Sequence, residues 1–209
     1  MNEQPFKVAS LDQVEPLGSW LPLRRRLGVA AFGVNAWTAR EGDAVIEEYD
    51  EATSGHEELY VVVRGSATFT VGGQDVDAPA GTVVFVSDPA ARRGAVARAA
   101  DTLVLTVGAK PGAAYEPLGW EENADIVPLF GRGEYAQAKE RLIAAVERWP
   151  DSGGLLYNLA CAESRLGETD AAIGHLAQAM EQEPRFADYA RSDEDFAAIR
   201  SDPRFPAAS

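Results

Sequence analysis

The sequence predicts a multidomain chain of the β + α class: a β-barrel or sandwich first, then a small all-α region. Two observations carry this. Between Gly28 and Gly108 the apolar residues come in short bursts bounded by Gly, Pro and Asp. Turn signals recur about every ten residues there, and many short strands at that spacing close as a sandwich or barrel. Beyond Gly112 the apolar period lengthens to that of a helix.

The β half can be read segment by segment. Candidate strands are "GVAAFGVNAWTA", "DAVIEEY", "EELYVVVRG", "SATFTVGG", "TVVFVS", "GAVARA" and "TLVLTVG". "ATFTV" alternates as a half-buried strand does. The pair Gly72-Gly73 suits a hairpin turn, because glycine accepts positive φ at little cost. "LRRRLG" is a basic cluster in an acidic chain, and its neutral reading is an exposed, solvated turn.

In the α half, "EYAQAKERLIAAVERWP" and "TDAAIGHLAQAMEQEP" align on their prolines with a period of 34 residues. Gly133 matches Gly167, Glu134 matches Glu168, Ala138 matches Ala172, Leu142 matches Leu176, Ala145 matches Ala179 and Pro150 matches Pro184. That is the period and small-large-small pattern of the tetratricopeptide repeat. Small residues let paired helices approach, and proline stops the second helix. "LLYNLACAESRLG" reads as the first helix of the second repeat; "ADIVPLFGRG", with Pro128, reads as a short, irregular counterpart. The ending "FADYARSDEDFAAIRSDPRF" resembles the tail of many bacterial arrays of this kind, a capping helix followed by a segment that folds back.

Composition limits the function. The chain has 209 residues, 46% of them apolar, so a core can be buried. Its net charge of −14 argues against nucleic acid and anionic membranes as partners. No apolar run approaches the roughly 20 residues that span a bilayer. "MNEQPFKVASLDQVEPL" lacks a basic start followed by an apolar block, so no secretory signal is expected there. The single cysteine, Cys161, leaves no intramolecular disulfide and no cysteine-cluster zinc site. These features predict a cytoplasmic protein. There is no phosphate-cradling loop and no dinucleotide fingerprint.

Two stretches resemble the cupin family. In "EELYVVVRG", Glu58 precedes Gly65 with the spacing that ends the first cupin motif. In "APAGTVVFVSDPAARRG", Pro79 and Gly81 match the Pro-x-Gly opening of the second. The resemblance runs from Trp20 to Gly112 and implies a cupin-like double-stranded β-barrel, or jelly roll. Residues 1–112 are then expected to form the barrel with its N-terminal arm. Residues 113–122 link it to two tetratricopeptide-like repeats and a cap over 123–209.

Metal-dependent cupins supply a His-x-His pair and a Glu from the first motif and a His from the second. Imidazole and carboxylate so arranged suit Fe, Mn, Ni or Zn. Here Glu48 and Asp50 fall where the His pair belongs, Glu58 is kept, and the second-motif position falls at Arg92 or Arg93. His56 lies two residues before Glu58, so an extended strand puts both on one face. A site of Glu48, Asp50, His56 and Glu58 would be oxygen-rich, favouring Mn or Ca. An arginine facing it opposes a cation and pairs with the acids instead. The expected state is therefore metal-free, without cofactor, with a divalent metal (Mn, Fe or Ni) as the alternative.

The expected ligand-binding set is Glu48, Asp50, His56, Glu58 and Arg92, with Trp37, Tyr60, Phe69 and Phe85 as candidate walls. Buried acids need partners, and Glu58 with Arg92 is the first pair expected. Two functions follow. One is a non-enzymatic module that holds a small polar molecule in the barrel while the repeats engage a protein partner. The other is a cupin-type enzyme, an isomerase, lyase or dioxygenase, with Glu58 or His56 as acid or base. The resemblance further implies a homodimer.

Overall fold

A computed structural model describes residues 7–206. It contains two compact units, Met1–Pro117 and Leu118–Ser209.

The first unit is built from nine strands. They are β1 (Trp20–Leu21), β2 (Gly33–Ala39), β3 (Ala44–Tyr49), β4 (Glu57–Arg64), β5 (Ser66–Val71), β6 (Gln74–Pro79), β7 (Val83–Val86), β8 (Arg93–Ala97) and β9 (Thr102–Ala109). All pairings are antiparallel. One sheet runs β1-β2-β9-β4-β7 and the other β3-β8-β5-β6. Inward residues of both sheets form one core: Tyr60, Val62, Val86 and Val104 from the first, Val45, Phe69, Ala78 and Ala95 from the second. Two antiparallel sheets around one core make a cupin-like jelly roll.

Each expected strand is present, and two short ones add to them. "QDVDAP" forms β6, whose Asp75 and Asp77 accept hydrogen bonds from Thr70 and Thr68 directly across the ladder, at 2.7 and 3.0 Å. An acidic strand is tolerable here because β6 is a sheet edge with most of its residues exposed. Gly72 and Gly73 both adopt positive φ, 56° and 79°, as the tight β5–β6 turn requires. Gly65 is obligatory for another reason. Its φ is 73°, and a Cβ there would lie 2.5 Å from the Thr102 hydroxyl.

The N-terminal arm covers the outer side of β2 and β9. Val14, Leu21 and Leu23 pack there on Ala36 and Leu103. "LRRRL" is not an exposed turn but a short helix, α1 (Leu23–Leu27), and its Arg24 is buried. The apolar flanks of the cluster, Leu23 and Leu27, set a helical face that outweighs the charge.

The second unit contains α2 (Asn123–Gly131), α3 (Tyr135–Arg148), α4 (Gly153–Arg165), α5 (Thr169–Gln182) and α6 (Phe186–Ser192). The 34-residue register holds down to single hydrogen bonds. Glu134 N donates to Leu129 O and Glu168 N to Glu163 O, both at 2.9 Å. Gly133 and Gly167 both have positive φ, 71° and 79°. Ala138, Leu142, Ala145 and their counterparts Ala172, Leu176 and Ala179 are all buried. Pro128 is the sixth of the nine residues of α2, where it removes one intrahelical bond. Ten of the thirteen residues of α4 are buried, as befits the central helix. The tail returns Phe196, Ile199 and Phe205 onto α4 residues Leu156 and Tyr157, closing the open end of the stack. Among the described residues, no helix is long and apolar enough to cross a membrane.

Candidate functional site

The barrel interior holds one charged cluster. It forms because β3 does not keep strict alternation. Ile46 pairs with Ala95 and Tyr49 with Arg93, so three steps along β3 oppose two along β8. The extra residue reverses the facing of everything beyond it. Tyr49 turns inward, while Glu48 and Asp50 are exposed.

Glu58 is the centre. The Tyr49 hydroxyl lies 2.9 and 2.7 Å from its two oxygens. The Tyr60 hydroxyl donates to Oε2 at 2.6 Å, and the two hydroxyls are 2.8 Å apart. Arg93 Nε lies 3.6 Å from Oε2. The Arg93 side chain has no solvent exposure. Its Nη1 donates to Pro89 O at 3.0 Å, its guanidinium lies over the Tyr49 ring, and its Nε makes no hydrogen bond. Burial, and then the neighbouring Glu58, pushes the Tyr49 phenol far above its ordinary pKa. Burial and the Tyr49 and Glu58 charges do the same to Tyr60. Both phenols therefore stay protonated donors across the working pH range.

Outward from Glu58 lies a small polar mouth. Asn35, His56, Glu58 and Thr106 each keep 7 or 8% exposure. Asn35 pairs across the ladder with Thr106 and Thr106 with Tyr60, while Gly33 pairs with Gly108 and Gly108 with Glu58. The Trp37 indole donates to Thr106 Oγ1 at 3.3 Å. Asn35 Oδ1 is buried without a hydrogen-bond partner. His56 Nδ1 is 3.6 Å from Glu51. Burial raises the Glu51 carboxyl above its ordinary pKa, against the lowering effect of the Ser54 hydroxyl.

Several expectations are corrected by this geometry. Arg93, not Arg92, meets Glu58; Arg92 points outward and binds Glu48 at 2.7 Å in solvent. Glu48 and Asp50 do not join His56 and Glu58, so the four are not brought to one point. Phe85 is 56% exposed, because the alternation of β7 turns Val84 and Val86 inward instead. Phe69 is fully buried against Tyr60 as core. Trp37, Tyr60, His56 and Glu58 do reach the interior or its mouth. Tyr49, Asn35 and Thr106 are additions, and Arg93 takes the second-motif place that the sequence left open between Arg92 and Arg93. Only the tyrosine beside Glu48 and the second arginine of the "RR" pair carried any sequence signal.

A divalent metal does not fit the interior donors. The interior donors are two neutral phenols and one carboxylate, and a buried guanidinium already lies beside that carboxylate. In the helical unit, Cys161, Asp193 and Asp195 bring one ligand atom each within 4.8 Å of one another. Their groups already have structural tasks. Asp193 accepts from Tyr157 at 2.8 Å and from the Asp195 amide at 3.0 Å, and Asp195 lies 3.7 Å from Arg165. Burial, then Asp193, pushes the Cys161 thiol up, away from the thiolate a metal needs. Beside them, the Glu163 carboxylate is buried against His175 at 2.8 Å.

Residues 129–192 match the tetratricopeptide repeat model. A search of curated proteins finds no match. Among solved structures, the chain is similar to a cupin protein from Bacteroides fragilis, at 19% identity and a TM-score of 0.43, over 56% of this chain and 93% of that one. It is similar to a cupin-superfamily sugar phosphate isomerase from Silicibacter pomeroyi, at 20% identity and a TM-score of 0.43, over 50% and 76% of the two chains. It is also similar to KdgF from Halomonas sp., at 16% identity and a TM-score of 0.36, over 43% and 73%. The cupin-like layout of the first unit rests on its own strand order and shared core.

Proposed function

We propose that the barrel is a non-enzymatic, metal-free binding module for a small polar molecule, and that the helical repeats link it to a protein partner. The observation that carries this is the buried Glu58–Arg93 cluster. A carboxylate already held by two phenols and a guanidinium is satisfied internally. The mouth above it still offers acceptors, the unpartnered Asn35 Oδ1 among them. A neutral ligand rich in hydroxyl donors fits that set.

Two measurements test the reading together. Elemental analysis of the intact protein is expected to find no stoichiometric Fe, Mn or Ni. Stoichiometric metal that Glu58→Ala loses would overturn the metal-free part. A thermal-shift screen of neutral hydroxylated compounds is expected to find stabilisers whose effect Glu58→Gln or Asn35→Leu abolishes. A screen without any such compound overturns the binding part. The enzymatic alternative, a metal-free isomerase or lyase, has one observation in its favour. His56 stands at the mouth with Glu51 beside it, an arrangement that suits an acid or base.

We also propose a homodimer. The outer face of β4 and β7 leaves Val63, Val83 and Phe85 exposed and uncharged in a chain of net charge −14. Two acidic copies meet with least repulsion on such a patch. Light scattering of the wild type is expected to give twice the monomer mass, and Phe85→Glu the monomer mass. A wild-type monomer overturns it.

A further inference from the structure

The mouth is occupied by the chain itself. Tyr115, six residues after β9 ends at Ala109, lies back over the barrel opening. A Cβ built on Gly33 would stand 3.0 Å from the Tyr115 hydroxyl and 3.2 Å from its ring. Gly33 is paired with Gly108, and a Cβ on Gly108 would stand 3.0 Å from the Glu58 side chain. Two cross-strand glycines thus form a bare floor. The Tyr115 phenol lies over one and Glu58 over the other. Neither glycine has positive φ, so backbone conformation does not demand them. The space above them does.

The ring is also held by face contacts. His56 stacks on it with centroids 5.6 Å apart and planes 29° apart. The Arg24 guanidinium lies 5.7 Å from its centroid. Arg24 and His56 are themselves buried, at 7 and 8% exposure. A flat imidazole, a guanidinium and a glycine floor form a receptacle for one planar hydroxylated ring.

We propose that the Tyr115 phenol is a built-in occupant of the barrel mouth, and that the molecule which displaces it is a small hydroxylated aromatic. This rests on the reading of the mouth as a ligand site and names the ligand's class. The two elements that grip Tyr115, α1 and the His56 turn, grip the incoming ring in its place. Displacement frees residues 110–117, the stretch that leads from β9 to the end of the barrel unit. Occupancy of the mouth then changes the conformational freedom of the connector.

The test uses the full-length protein and 4-methylphenol as probe. The NMR signals of the Tyr115 ring, which sense the His56 imidazole stacked on it, are expected to move toward those of a solvated tyrosine when wild-type protein is titrated with the probe. Tyr115→Ala is expected to bind the probe at least tenfold more tightly than wild type by calorimetry, because nothing must be displaced. Gly33→Ala keeps Tyr115 but puts a methyl against its hydroxyl. It is expected to move the Tyr115 ring signals the same way with no probe present and to weaken probe binding. It also keeps the test informative if Tyr115→Ala unfolds. Overturning results are equal affinity in wild type and Tyr115→Ala, or probe binding that leaves the wild-type Tyr115 ring signals in place, or no wild-type binding at the solubility limit. Unchanged Tyr115 ring signals in Gly33→Ala count equally against it. A non-aromatic compound that binds through Glu58 and leaves the Tyr115 ring signals in place ends this inference and keeps the broader one.

Discussion

Two arginines adjacent in sequence stand on opposite sides of one barrel wall. Arg92 reaches Glu48 outside, at 2.7 Å, with both side chains more than 60% exposed. Arg93 reaches Glu58 inside, at 3.6 Å, with its own side chain at 0%. The outer pair has the better distance, and the inner pair is expected to have the greater effect. In solvent, water screens the attraction and competes for both partners. In the interior, no water replaces a lost partner, so removing one charge strands the other. Proximity alone does not rank ion pairs.

The largest effect is expected from removing the inner cation. Arg93→Met keeps the bulk but leaves the Glu58 carboxylate buried without its counter-charge. The expected loss is about 3–5 kcal/mol of barrel stability, read from the urea midpoint of the barrel transition. The variant also loses the tie from Nη1 to Pro89 O, so the loop before β8 is expected to lose exchange protection. A loss below about 1 kcal/mol would make the inner pair equivalent to a surface one.

A smaller effect is expected from the phenols. Tyr60→Phe removes the donor held 2.6 Å from Glu58 and leaves the packing against Phe69 in place. Hydrogen bonds to charged groups contribute about 1.5–3 kcal/mol, and a loss in that range is expected in the same urea experiment. If Tyr60→Phe matches wild type, Tyr49 alone satisfies Glu58, and the third contact of the cluster is redundant.

The overall architecture was legible because its signals are local. Alternation in "ATFTV", the glycine turns and the Glu58-to-Gly65 spacing all act within a few residues. The helical repeats were legible because each pair of helices packs on the next in the same way. Ala138 and Ala172 are therefore buried for one reason at one phase. The interior cluster was only half legible. Counting by twos from Ile46 puts Glu48 and Asp50 inside, and the extra residue of β3 between Ile46 and Tyr49 reverses that count. A bulge leaves no mark in residue type here. Tyr115 was not legible at all, since its place at the mouth depends on how the chain after β9 folds back over Gly33, far away in sequence.

Glu51 stands at the rim between inside and outside, half-buried. Burial holds its carboxyl above the ordinary range, so the folded state takes up the proton more readily than the unfolded chain. The stability linked to that proton is full below the ordinary carboxylate pKa and is lost as pH rises through the folded value. Glu51→Gln, neutral at every pH, is therefore expected to be more stable than wild type near neutrality. The gap closes as pH falls toward about 4.3, the unperturbed glutamate value. Unfolding midpoints taken across that window check the sign. A gap that widens on acidification would place Glu51 with the stabilised acids rather than the strained ones.

The smallest effect belongs to the outer pair. Glu48 and Arg92 share a charge-assisted contact that holds Arg92 ionised, through the Glu48 hydrogen bond first and its charge second. Both side chains lose rotamer freedom to make it, and both regain water when it breaks. Arg92→Ala and Glu48→Ala are each expected to leave the urea midpoint within experimental error. In a double-mutant cycle, any coupling between them is expected to vanish in molar salt, where the screening length falls to about 3 Å. A salt-resistant coupling would mean that the depression lined by Glu48, Arg92 and Thr70 excludes water as the interior does. The two faces of the wall would then differ in composition but not in dielectric character.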